Sequence, residues 1–252
     1  MTRIIGHYGG YRKTLSFGLT CLVYHATTMF CRRNYNYKND ALGKTVGQMV
    51  GAARSARQNI VEASSRAGTS KETELRLLDV AKASLQELAG DFEAFITDNG
   101  EAPWSERDAK YVKVKSLVFD DFDAREDLRH EYGLHLLAMR TRFASALENE
   151  DPIIAANAIL VTIDRASALL HRQIEKIGEA FREEGGFTER LSKARLEARD
   201  EQIASAGSPK CPKCGGPMRK VVAKKGVNAG NPFWSCQAYP NCSGTRKWEW
   251  KS

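Results

Sequence analysis

Asp151-Pro152-Ile153-Ile154-Ala155-Ala156-Asn157-Ala158-Ile159-Leu160-Val161-Thr162-Ile163 opens a segment that runs on to Phe181 and decides the fold class. Within it Ile153, Ala156, Leu160, Ile163, Ser167, Leu170, Ile174, Ile177 and Phe181 recur at alternating intervals of three and four, the period of an amphipathic α-helix. Asp151 is a good N-cap, Pro152 suits the first helical position, and Gly185-Gly186 supplies a stop. The spacing predicts a helix over residues 152–183.

The same period recurs upstream. Residues 69–97 carry a stripe of Leu75, Leu78, Ala81, Leu85, Leu88, Phe92 and Phe95, and Thr69-Ser70-Lys71-Glu72 has the spacing of a capping box. Gly68 is expected to end the preceding helix, residues 40–66, whose slimmer stripe is Val46, Val50, Ala53, Ile60 and Ala63. Residues 12–33 form the first helix. Its apolar run from Leu15 to Cys31 superficially resembles a signal peptide, but His25, Thr27 and Thr28 interrupt it and no small-residue cleavage site follows. It is read as a core helix.

These four segments suit a four-helix bundle. Residues 99–150 interrupt the pattern with Pro103, Trp104 and a further amphipathic run (Leu128, Leu136, Met139, Phe143, Leu147), expected as an inserted hairpin or a packed fifth helix. Residues 187–205 read as a charged, solvated helix, and Ala206-Gly207-Ser208-Pro209 as a linker. The fold class is therefore mainly α: a helical bundle over residues 1–205, then a small β-containing module over 210–252.

The charge of the chain is unevenly placed. The protein has 252 residues, 42% hydrophobic and 27% charged, enough apolar content for a core, and a net charge of +7. Residues 208–252 hold nine Lys/Arg against Glu249, a net +8, which leaves the body at −1. A polyanionic partner is expected at the tail, and packing or partner surfaces on the body.

Four of the six cysteines lie in that tail. Cys211-Pro212-Lys213-Cys214-Gly215-Gly216 is a Cys-x-x-Cys knuckle, its glycines allowing a tight turn whose amides can face sulfur. Cys236-Gln237-Ala238-Tyr239-Pro240-Asn241-Cys242 brings the second pair, with 21 residues between the pairs. Four thiolates make a closed tetrahedral zinc site with no position for a water nucleophile, and a module this small needs the metal to fold. One structural Zn²⁺ on Cys211, Cys214, Cys236 and Cys242 is expected, in preference to redox chemistry. Cys21 and Cys31, ten residues apart on one helix, lie ~15 Å apart along its axis and cannot bridge each other. A reducing, cytoplasmic setting fits this cysteine usage.

Two resemblances add to this reading. The stretch Gln48-Met49-Val50-Gly51-Ala52-Ala53-Arg54-Ser55-Ala56-Arg57-Gln58-Asn59-Ile60-Val61-Glu62-Ala63 resembles the four-helix bundle family encoded in 23S rRNA intervening sequences, which includes accessory proteins of diversity-generating retroelements. The helix from 152, with Gly185-Gly186-Phe187-Thr188-Glu189-Arg190-Leu191, resembles bacterial proteins carrying a four-helix-bundle suffix domain. The resemblance implies a non-enzymatic helical protein that self-associates and contacts nucleic acid or a reverse transcriptase. The long 99–150 segment and the tail depart from that family.

The tail resembles the C-terminal zinc finger of type IA DNA topoisomerases, through Cys-Pro-Lys-Cys-Gly-Gly at 211–216, Phe233-Trp234-Ser235-Cys236, and Tyr239-Pro240-Asn241-Cys242 with Gly244-Thr245. This implies single-stranded DNA binding. Phosphates would be followed by Lys213, Arg219, Lys220, Lys224, Lys225, Arg246 and Lys247, and unpaired bases would stack on Phe233, Trp234, Tyr239, Trp248 and Trp250. Some of these aromatics must instead pack the small core; Trp234 is the one expected inside, with Trp248 and Trp250 free.

No enzyme is expected. The chain leaves no room for topoisomerase catalytic domains. His130-Glu131-Tyr132-Gly133-Leu134-His135 spaces its histidines five apart, where a zincin helix needs four, and no nucleophile elbow, phosphate loop or dinucleotide fingerprint occurs. His7, His25 and His171 stand isolated. The expectation is a nucleic-acid-binding protein acting on single-stranded DNA or RNA, homo-oligomeric through its bundle, with no small-molecule substrate and no membrane span. The rival readings are a protein-interaction adaptor whose finger recruits a protein, or an accessory factor in DNA topology or retroelement processes.

Overall fold

The computed structural model describes residues 10–123, 128–185, 187–205, 208–225 and 227–248. Ala206 and Gly207 of the expected linker lie outside the described residues. The chain divides into two compact units, one ending at Phe187 and the other beginning at Thr188.

In the first unit, α1 (Leu15–Asn34) starts where the Thr14 hydroxyl accepts the Phe17 amide, and it buries Leu19, Leu22, Val23, Ala26 and Phe30. This is a core helix, as its polar interruptions imply. The start of α2 (Lys44–Arg66) is capped from a distance: the Asp40 carboxylate accepts the amides of Thr45 and Val46 at 3.3 and 3.0 Å. Its buried face is Met49, Ala52, Ala53, Ala56, Ile60 and Ala63, mostly small residues that admit close neighbours, with Val46 and Val50 half-buried at its margin. Gly68 follows its end without a positive φ; Ala67 is the C-cap.

For α3 (Lys71–Asp98) the expected Thr69–Glu72 capping box is shifted by one residue. Ser70 is the N-cap, and its hydroxyl accepts the Thr73 amide at 3.2 Å. Leu78, Ala81, Leu85, Leu88, Phe92 and Ile96 are buried, each large one contributing about 1.5–3 kcal/mol.

The segment 99–150 forms the short α4 (Ala109–Lys115) and the long α5 (Leu128–Leu147). Tyr132, Met139, Phe143 and Leu147 of α5 are buried, whereas Leu128, expected in that stripe, is 41% exposed at the first turn. The last long helix, α6 (Pro152–Glu184), has the predicted entry: Asp151 Oδ1 accepts the Ile153 and Ile154 amides at 2.8 and 3.3 Å. Gly185, at φ 70°, ends it. Of its stripe Ala156, Leu160, Ile163 and Leu170 are buried, Ile153, Ser167, Ile174 and Ile177 half-buried, and Phe181 is 38% exposed, so the sequence period outruns the core. Among the described residues this is the helix long and apolar enough to span a membrane by length and composition; 61% of its apolar window is buried in the protein.

Helices α1, α2, α3 and α6 close a four-membered ring of neighbours, with α4 laid on α6, and α5 on α6 and α1. Polar ties fix the 99–150 segment. The Trp104 amide donates to Asn157 Oδ1 at 2.7 Å, and Arg165 donates to the carbonyls of Val114 and Leu117 at 3.2 and 2.7 Å, satisfying the end of α4. Gly18 of α1 makes room for a ring: a β-carbon there would lie 2.4 Å from the Phe119 side chain.

The second unit holds the charged α7 (Phe187–Ser205), whose Leu191 and Leu196 are exposed, and a three-stranded antiparallel sheet. Its strands are β1 (Met218–Val222), β2 (Pro232–Cys236) and β3 (Thr245–Lys247), in the order β1-β2-β3.

Candidate metal centre

Two tight turns and one strand end bring the four cysteines together. At the first turn the Gly215 amide donates to the Cys211 carbonyl at 2.9 Å and the Cys211 amide to the Gly216 carbonyl at 2.8 Å, with Gly215 at φ 72°. That left-handed backbone is one a residue with a β-carbon rarely adopts. The second turn leaves β2 at Cys236 and returns at Cys242, whose amide donates to the Ala238 carbonyl at 3.1 Å. The Cys236 amide donates to the Gly244 carbonyl at 2.9 Å and ties both ends of the turn.

All four sulfurs lie within 4.8 Å of one another. Cys211 Sγ and Cys242 Sγ are 3.8 Å apart, and Cys214 Sγ and Cys236 Sγ 3.5 Å. A tetrahedral ion with ~2.3 Å metal–sulfur bonds spaces its ligands by ~3.8 Å, whereas a disulfide needs about 2.05 Å. The spacing fits a shared ion and excludes bonded pairs. The cluster can hold a metal ion.

Backbone amides complete the surroundings of the sulfurs. The Cys214 amide, with that of Lys213 beside it, pulls the Cys211 thiol down to about 6. The Ala238 amide favours the Cys236 thiolate, but desolvation and the neighbouring thiols push that group up to about 12. Four thiols this close shed their protons together only when a cation takes up the charge. Amides of the first turn face sulfur, as the knuckle's glycines implied, and the donors there are Cys214 and Lys213. Around the second turn they are Ala238, and Gly244, whose amide faces Cys242.

Beneath the cluster, Met218 is fully buried against Cys211 and Cys236, with Trp234 packed alongside. Met218 escaped the sequence reading because a lone methionine gives no periodic signal in a module of this size.

The strand register sorts the predicted nucleic-acid residues into two sets. Lys220 pairs with Trp234, which pairs with Arg246; Val221 pairs with Phe233, which pairs with Lys247. Since side chains alternate along a strand, Lys220, Trp234 and Arg246 share one face, and Trp248, two residues beyond Arg246, joins them. Phe233 and Lys247 occupy the other face. Arg219, paired with Ser235, is on that other face too.

On the first face Trp234 and Trp248 stack, with ring centroids 4.6 Å apart, and Lys220 Nζ lies 4.3 Å from the Trp248 ring centre. Both indoles are half-buried, so the expected contrast between an inner Trp234 and a free Trp248 is replaced by a mutual stack. Trp248 Nε1 is buried and has no acceptor among the described residues. A cleft of about 960 Å³ beside this stack is lined by Lys225, Phe233, Arg246, Lys247 and Trp248 among others. Lys213 donates to Ser243 Oγ at 2.7 Å and so braces the second turn against the first. Lys224 stands in the β1–β2 connection, Tyr239 is 61% exposed at the second turn, and Trp250 lies outside the described residues.

No protein-family model, curated protein or solved structure matches the chain.

Proposed function

We propose that the C-terminal module is a zinc-stabilised finger that binds single-stranded nucleic acid, DNA foremost. The helical bundle serves self-association or docking to a partner. Zinc is the metal that suits four thiolates in a closed tetrahedral set, and such a set is structural, not catalytic. No reaction is assigned to the chain.

The observation that carries this reading is the gathering of Lys220, Trp234, Arg246 and Trp248 on one sheet face beside the cysteine cluster. An aromatic platform edged by cations is what an unpaired strand requires: bases stack on the rings while the cations meet phosphates. The resemblance of residues 210–249 to type IA topoisomerase fingers supports the same assignment, and that of the helices to the intervening-sequence bundles supports assembly of the body.

The test is titration of the full-length protein with fluorescently labelled oligonucleotides at several salt concentrations. Single strands should bind with log affinity falling linearly in log salt, and should quench the tryptophan emission. Absence of single-strand binding at low salt, or affinity indifferent to salt, would defeat the proposal.

A further inference from the structure

We infer that the helical body carries a binding site for a small organic phosphate, in the groove between α1 and α5. The groove encloses about 390 Å³, within the range of small-ligand sites. Three arginines line it from three helices: Arg32 of α1, Arg57 of α2 and Arg140 of α5. Among the described residues no carboxylate lines it, and none of the three arginines forms an ion pair. Glu148, the acid near this end of the groove, meets His25 Nε2 through one carboxylate oxygen at 3.1 Å.

Arg57 and Arg140 are half-buried where they line the groove and Arg32 is exposed, so an anion bound there would meet guanidinium groups from three helices. Arg140 Nε is buried without an acceptor among the described residues. The Arg57 guanidinium carbon lies 4.3 Å from the Tyr24 ring centre, a cation–π contact that places the group in the groove. Planar guanidinium forks suit the several oxygens of a phosphomonoester, whose double charge also answers more of the three cations than a carboxylate can.

Beyond the arginines, His25 and Thr28, the groove has an apolar stretch. Met29, Leu136 and Leu137 line it, Leu137 being 55% exposed, and a β-carbon at Gly133 would meet nothing within 4 Å. An organic body attached to the phosphate has a surface to cover there. The site depends on α5, which the sequence reads as an insertion into the bundle, and it owes nothing to the finger.

The experiment is calorimetric titration of the full-length protein with phenyl phosphate, inorganic phosphate and benzoate. Phenyl phosphate should bind most tightly, because it alone offers both the dianion and the apolar body. Arg140→Ala and Arg57→Ala should each weaken it roughly tenfold or more. Arg54→Ala, the same charge change on an exposed position of α2 outside the groove, should not alter it. Gly133→Trp, which fills the groove on a helix that tolerates the residue, should abolish it. A finger variant with Lys220→Ala and Arg246→Ala should bind phenyl phosphate as the parent does. The inference is overturned if the parent protein fails to bind phenyl phosphate at millimolar concentration. It is equally overturned if Arg140→Ala and Gly133→Trp leave binding intact, or if the finger variant alone removes it.

Discussion

Gly244 and Cys211 are in contact across the two cysteine turns: a β-carbon on residue 244 would stand 2.1 Å from the Cys211 sulfur. No side-chain rotation relieves that overlap, because Cys211 Sγ is itself pointed into the cluster. Gly244→Ala should therefore spread the sulfurs beyond metal–ligand reach and cost about 1–3 kcal/mol or more in the folded module. Zinc stoichiometry by elemental analysis should fall well below one per chain; a full complement would show that the turn can yield.

Metal removal should act on one unit alone. A strong chelator is expected to unfold the sheet around Met218 while the helical circular-dichroism signal stays nearly intact, since all four ligands lie between residues 211 and 242. Binding of structural zinc is worth an apparent ~10–16 kcal/mol at neutral pH in small fingers, far more than this core supplies. Cys236→Ser should reproduce the effect of chelation, and retention of one metal per chain by that variant would remove Cys236 from the ligand set.

Gly18→Ala tests the packing of the 99–150 segment on the bundle. The added methyl meets the Phe119 ring at 2.4 Å, and the ring must swing out of its notch. A loss of about 1–3 kcal/mol in chemical denaturation is expected, although alanine is the better helix former. In a double-mutant cycle Gly18→Ala should cost less, or stabilise, when residue 119 is already alanine; an equal cost in both backgrounds would mean that the ring is not what the methyl meets.

Base stacking and charge should separate in the finger. Trp248→Ala removes half of the indole stack and should weaken single-strand binding by about 1–3 kcal/mol with little change in salt slope. Lys224→Ala with Lys225→Ala should flatten the slope in proportion to the phosphates those two lysines neutralise. Titrations at four or more salt concentrations distinguish these outcomes, and identical slopes for all variants would mean that phosphates are met elsewhere on the chain.

Acid should loosen the helical unit before it reaches the carboxylate range. Burial, chiefly, lowers the proton affinity of both His25 and His135 in the folded chain. A depressed folded value means that the unfolded chain binds the proton first, so the stability is full above the ordinary histidine value of about 6.5 and declines as pH falls below it. Asp91 and Asp164, both raised by burial, act in the opposite sense nearer their own range. Thermal melts between pH 7.5 and 5.5 should show the decline, and His25→Gln with His135→Gln should flatten it.

The long helices were legible because their stripes are regular and their caps chemically distinct; Asp151-Pro152 is the clearest instance, confirmed down to its hydrogen bonds. The cap of α3 slipped by one residue because Ser70 competes with Thr69 for the same position, and side-chain chemistry alone does not rank them. Phe181 and Leu128 kept the helical period beyond the reach of any neighbour, since periodicity reports which face is apolar and not how far the partner helix extends. The cysteine spacing announced the cluster, but the split of the basic and aromatic residues between two sheet faces depends on a register that no local signal encodes. The arginine groove was invisible for the same reason: its lining comes from three separate helices, with α5 far along the sequence from α1 and α2.

The connection from β1 to β2 closes on itself, with the Ala223 amide donating to the Asn231 carbonyl at 3.0 Å and the Gly230 amide to the Ala223 carbonyl at 2.8 Å. It contributes no cysteine and nothing to the buried cluster of Cys211, Met218 and Cys236. Its length is thus decoupled from the metal geometry. Descendants of this chain are free to lengthen, shorten or recharge it, and an experimenter can splice a reporter peptide into it, while the sulfurs keep their positions. Lys224 and Lys225 sit on that pliable segment. The reach of the finger toward a partner can in this way drift under selection without putting its folding at risk.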